Sequence, residues 1–166
     1  MSIFRSNTKI GDIFSVNLEN GYKKYFQLIA YDLTQLNSDV IRSFKDEYKI
    51  ADAPSLQRII DGEIEFYAHC VTKSGLKLNL WIKEGNITEV GNLNDIIFRD
   101  TNDYSNPNVE ISNNWYIWRI NDKDFTRVGK LIGENRKAEI GIVINPFDIV
   151  NRIKTGKYQF QYPNFE

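Results

Sequence analysis

The sequence predicts an α+β fold dominated by strands: a largely antiparallel, strongly twisted or barrel-like sheet carrying two short helices. Three observations lead there. Apolar residues recur at every second position along much of the chain, as in Ile64, Phe66, Ala68 and Cys70, which is the period of a strand with one dry face. Turn-forming steps such as Asn20-Gly21 separate these runs and predict hairpins. Helical spacing framed by boundary residues occurs twice, at 53–62 and 145–156.

The first strand, Ile13 to Leu18, follows Gly11-Asp12 and ends at Glu19-Asn20-Gly21. Asn and Gly both tolerate positive φ, so a tight turn is expected at Asn20-Gly21. Tyr22 to Tyr31 returns, and from Phe26 onward it is almost continuously apolar, as a strand covered on both faces would be. Leu33 to Ser38 reads as a polar loop and Val40 to Phe44 as a third strand. The first helix is expected over 53–62, with Asp52 as its cap, Pro54 in its first turn and Gly62 as its stop. Leu56, Ile59 and Ile60 form its inward stripe.

Ile64 to Cys70 is the next strand, and Leu76 to Lys83, alternating after Ser74-Gly75, is its expected hairpin partner. Ile96 to Arg99 is a short strand. Residues 100–114 are rich in Asp, Asn, Ser and Thr and read as a loop. Trp115 to Ile120 and Phe125 to Leu131 flank Asn121-Asp122-Lys123-Asp124, a further hairpin, and Glu139 to Ile144 is a last strand. The closing helix carries the fullest set of local signals. Asn145 caps it, Pro146 opens it, Asp148 and Arg152/Lys154 suit its two dipole ends, and Gly156 stops it. The aromatic tail, Tyr158 to Phe165, is expected to pack. No linker or repeat interrupts the chain, so residues 1–166 are expected to form one domain.

Composition narrows the function. With 42% hydrophobic residues, a chain of this length can build its core without disulfides. The single cysteine, Cys70, excludes an intramolecular disulfide and a Cys-based zinc site. Net charge is −1 and the pI is near 5.9. The densest basic steps are the pairs Lys23-Lys24 and Arg136-Lys137, so nucleic-acid binding is not expected unless folding gathers scattered cations. No run approaches the ~18 apolar residues of a membrane span, and Met1 to Arg5 lacks the apolar run of a secretion signal. Cytoplasmic residence without membrane attachment is the expectation.

No catalytic apparatus is recognisable. The only histidine, His69, adjoins the only thiol, Cys70, and neighbours on a strand point to opposite faces, so the two cannot form a dyad. His69 is expected on the wetter face. A carboxylate-dependent hydrolase would need two of Glu63, Glu65, Asp100, Asp103 and Glu139 to converge in one pocket. No metal or cofactor is expected. The 100–114 loop lacks the order of a calcium loop, and the glycines at 129 and 133 lack phosphate-loop spacing.

Binding residues are more visible. Trp115, Tyr116, Trp118 and Arg119, next to Tyr104, have the composition of an interface hot spot. Trp115 and Ile117 share one strand face, Tyr116 and Trp118 the other; one pair is expected in the core, and the other face can bind a partner only if the fold leaves it open. Glu134, Asn135 and Arg136 belong to a dense polar loop running to Glu139, a second candidate for partner recognition. An alternative is an SH3-like or Tudor-like module with an aromatic cage.

The opening motif Gly11-Asp12-Ile13-Phe14, with a hairpin reaching Phe26-Gln27, resembles the immunity protein 26 family of bacterial polymorphic-toxin systems. The strings Phe66-Tyr67-Ala68-His69, Ile111-Ser112-Asn113-Asn114-Trp115 and Gly133-Glu134-Asn135-Arg136-Lys137-Ala138-Glu139 also resemble single-domain proteins of Bacteroidetes-type bacteria. The resemblance implies a small α+β protein that neutralises a cognate toxin by direct binding, without catalytic residues.

Overall fold

The computed structural model describes residues 7–166; Met1 to Arg5, on which the expectation about a secretion signal rests, lie outside the described residues. The described residues form two sheets. The larger is built from β1 (Asp12–Asn17), β2 (Tyr22–Asp32), β3 (Ser38–Phe44), β4 (Tyr48–Lys49), β5 (Ile64–Cys70), β6 (Ile82–Asn86) and β11 (Val143–Ile144). Its order is β11-β5-β3-β2-β1-β6, with β4 paired to one end of β2. The smaller has the order β10-β7-β8-β9, from β7 (Ile97–Thr101), β8 (Trp115–Arg119), β9 (Thr126–Gly129) and β10 (Glu139–Ile140). All pairings are antiparallel except β11 with β5 and β10 with β7. The α+β, largely antiparallel class is as expected, but the larger sheet stays open between β11 and β6 and does not close into a barrel.

Alternation within the strands sorts the core. One face of the larger sheet presents Phe14, Phe26, Leu28, Ile41, Phe66, Ala68 and Cys70 to α3 (Pro146–Thr155) through Ile149 and Ile153. The opposite face is shared. Ile13, Tyr25 and Phe44 pack on α1 (Leu56–Ile60), whereas Ile29, Ala30 and Val40 meet Phe98 and Trp118 of the smaller sheet. The smaller sheet is itself covered on its far side. Ile97, Trp115 and Ile117 lie beneath Leu131, Ala138 and the tail residues Tyr162 and Phe165. The tail therefore packs, as expected, and a bridge between Ile111 and Asn164 pins it.

Four local expectations need correction. The turn after β1 places positive φ at Glu19 (63°) and Gly21 (90°) rather than at Asn20. Asn20 instead accepts the Tyr22 N–H through its side chain. The first helix is capped by Ser55, whose hydroxyl accepts the Arg58 N–H, and not by Asp52; Pro54 precedes the cap.

Residues 72–77 form a helix, α2 (Thr72–Lys77), where the beginning of a strand was expected, so the described residues hold three α-helices instead of two. Leu76, Leu78 and Leu80 read as period two, but Leu76 and Leu80 are also four apart. Those two pack on the core while Leu78 stays 50% exposed. Tertiary contacts make the choice: the Asp39 carboxylate accepts both the N–H and the hydroxyl of Thr72, and Trp81 Nε1 donates to the Thr72 carbonyl at 2.9 Å. β6 then pairs with β1, not with β5.

The expected strand over 139–144 divides at Gly141-Ile142. Its first half joins the smaller sheet and its second half the larger. α3 has its predicted cap, opening and stop: Asn145 accepts the Phe147 N–H, Pro146 opens the helix, and Gly156 ends it with φ 82°. Among the described residues no helix is long and apolar enough to cross a membrane.

Candidate functional site

The sole histidine is fully buried, a correction to the expected wetter face. His69 does point away from Cys70, but the face it occupies is covered by the smaller sheet. Its ring lies 4.1 Å from Phe98. Nε2 donates to Asp32 Oδ2 at 2.8 Å, and Nδ1 has no partner. The same carboxylate accepts Trp118 Nε1 (3.1 Å) and the Asn121 N–H (3.2 Å). Burial alone would raise the Asp32 carboxyl, but the hydrogen bonds from His69, Trp118 and Asn121 outweigh it and hold the group at about 2. This arrangement locks the smaller sheet to the end of β2, with both Asp32 and His69 fully buried. The thiol is equally sealed: Cys70 is fully buried, and burial pushes its pKa up. Cys70 should therefore resist alkylation by a maleimide in the folded protein and react fully once unfolded in guanidinium, as mass spectrometry would register.

The eight residues singled out for binding do not form one patch. Trp115 is 1% exposed and Trp118 4%, which corrects their place among the candidate binding residues: neither ring is open to a partner. The reason is the double cover of the smaller sheet, with the larger sheet over Trp118 and the C-terminal tail over Trp115. Tyr116 is half-buried between Trp118 and Phe125, and its hydroxyl donates to Asp100. Those two tryptophans therefore cannot contribute to an aromatic cage. Arg119 lines a 420 Å³ cavity with Leu33, Leu93 and Ile120, its Nε donating to the Asn94 carbonyl. Tyr104, 44% exposed, lies with its ring tilted 5.2 Å from that of Tyr162, beside a separate 170 Å³ depression.

The carboxylates required by the hydrolase reading are dispersed. Glu63 pairs with Lys45 and Glu65 with Lys24, while Asp100 accepts from Tyr116 and Tyr162. Asp103 accepts from Ser112 and Asn114, and Glu139 from Arg152 and the Tyr67 N–H. No two of these side chains share a partner.

Glu134, Asn135 and Arg136 fall in a 3-10 turn, Gly133–Lys137, on the rim of a 370 Å³ cleft. Arg99 of β7, Arg136 and Lys137 of the turn, and Arg152 and Lys157 at the end of α3 line it, against one carboxylate, Glu139 of β10. In a chain of net charge −1 this is a concentrated positive surface. Sequence reading missed it because the cations lie far apart along the chain and meet only after folding; the Arg136-Lys137 step was its one local sign.

Aromatic rings hold two of the guanidinium groups in place. Arg99 lies 5.4 Å from the Trp115 ring and 5.1 Å from Phe165, and Arg152 lies 4.1 Å from Phe66 and 4.7 Å from Tyr158. Arg152 also pairs with Glu139 at 3.3 Å. Burial raises the Glu139 carboxyl, with Arg152 opposing it. Burial lowers the Arg99 pKa, and its Nε has no hydrogen-bond partner. Among the described residues no carboxylate stands within ion-pair distance of Arg99 or Lys157, whereas Arg136 pairs with Glu166 and Lys137 with Glu134. Such an arrangement can hold carboxylates or phosphates through planar forks and point charges. No protein-family model, no curated protein and no solved structure matches this chain.

Proposed function

We propose that the protein acts by binding, as an immunity protein that neutralises a cognate toxin by occluding it, and that the partner docks on the face around the Gly133–Lys137 turn. The observation that carries this reading is the exposed turn beside a strongly cationic cleft. Ile132, at the start of the turn, is 70% exposed, and an apolar anchor beside charged groups is a composition that interfaces favour. The sealed His69 and Cys70 and the dispersed carboxylates favour binding over the hydrolase alternative. The resemblance to the immunity protein 26 family supplies the kind of partner, and a cytoplasmic setting accords with it.

The test is co-expression with the product of the gene beside its own in the native host, followed by titration calorimetry of the purified pair. Rescue of growth together with a 1:1 complex is the expected result. A neighbouring gene unrelated to toxins, with no protein partner recovered from the host, would overturn the proposal.

A further inference from the structure

We infer that the cleft between the Gly133–Lys137 turn, β7 and α3 receives an acidic segment of the protein partner, whose carboxylates replace the chain's own Glu134 and Glu166. The inference rests on the binding role proposed above and specifies the chemistry of its docking site.

Three features point to carboxylates on a polypeptide. Three of the cations that line the cleft already hold carboxylates, Arg136 with Glu166, Lys137 with Glu134 and Arg152 with Glu139. The first two of these pairs are made by largely exposed side chains. Exposed ion pairs contribute little net stability, so a partner's acidic residues can take their places at little cost. Arg99 and Lys157 add two cations with no carboxylate within ion-pair distance among the described residues, and Arg99 is fixed between Trp115 and Phe165.

A small phosphate ligand fits this site less well. Small-molecule sites are enclosed and mostly apolar, with a few convergent polar groups. Here cationic side chains from three separate parts of the fold border the cleft, and the turn that supplies two of them is preceded by an exposed apolar residue, Ile132. That is the layout of a charged socket beside a protein contact. Electrostatic complementarity of this kind would act chiefly on the association rate and on partner choice.

The test uses the full chain and a fluorescein-labelled hexaglutamate peptide, read by anisotropy, with hexaserine and inorganic phosphate as comparisons. Hexaglutamate should bind, and weaken steeply as salt is raised; hexaserine should not bind. The double variant Lys137→Glu, Lys157→Glu, whose side chains are exposed, should bind the peptide about tenfold more weakly or worse. A second double variant with the same change in net charge, Lys49→Glu, Lys123→Glu, should bind as the parent does. Circular dichroism verifies that both variants fold.

Equal losses in the two double variants would overturn the inference, because net charge alone would then account for the binding. So would displacement of the peptide by phosphate at lower concentration than by free hexaglutamate. If a protein partner is recovered and binds the Lys137→Glu, Lys157→Glu variant as tightly as the parent, the inference fails while the binding role stands. If no partner is recovered the binding role fails, and the peptide titration still decides the chemistry of the cleft.

Discussion

Asp32→Ala is expected to lower the unfolding free energy by about 3 kcal/mol or more, because it leaves several buried donors unpaired at once. His69 Nε2, Trp118 Nε1 and the Asn121 N–H all converge on that carboxylate, which is fully buried. Asp32→Asn keeps the shape and should lose less. Urea unfolding monitored by tryptophan fluorescence measures both, and a loss below about 1 kcal/mol for the alanine variant would contradict the account.

The same carboxylate sets a pH dependence. Its folded pKa, about 2, lies below the ordinary 3.8, so its contribution is fully present above pH 3.8 and is lost as pH falls through 2. Roughly 1–2 kcal/mol rides on this shift. Burial raises Glu139 and Asp100, whose protonation favours the folded state as pH falls, so the total curve mixes opposite signs. The difference between the parent and Asp32→Asn isolates the Asp32 limb, and it should shrink steadily toward pH 2.

The second large effect is expected at Gly141. A Cβ there would sit 2.1 Å from Trp118 Cη2 and 2.9 Å from the Arg99 carbonyl oxygen. Neither neighbour can retreat freely: Trp118 is tied to Asp32, and the Arg99 carbonyl accepts the Gly141 N–H at 2.7 Å. Gly141→Ala should therefore cost about 3 kcal/mol, at the upper end of overpacking effects. Shrinking the obstructing ring by Trp118→Phe should make the alanine less damaging than it is in the parent. Denaturation of the four proteins of this double-mutant cycle measures the coupling, and simple additivity would rule out the proposed clash.

The elements that sequence revealed are those whose signals are local. α3 carries its cap, its opening proline and its stop within a dozen residues, so its bounds can be read directly. Residues 72–77 could not be read that way, because Leu76 and Leu80 satisfy both a strand and a helix, and distant Asp39 and Trp81 make the choice. The opposed directions of His69 and Cys70 follow from alternation along a strand, yet nothing in the segment tells that a second sheet covers the histidine. The same hidden cover misled the reading of Trp115 and Trp118. Of the candidate binding residues, Glu134, Asn135 and Arg136 do lie on an exposed turn, but the cleft beside it draws on Arg99, Arg152 and Lys157, whose nearness is a product of the fold.

Residues 139–144 pair with β7 in one sheet and with β5 in the other, and both partners lie far back along the chain. The order in which the molecule can assemble follows from this. The β1–β2–β3 meander and the β7–β8–β9 meander can each form from near neighbours. The segment that joins them must wait for long loops to close, and topologies rich in such distant pairings fold slowly. During synthesis the two meanders would emerge before their clasp, each with an apolar face still open to the other. The protein's exposure to aggregation is thus concentrated in the interval before residues 139–144 arrive.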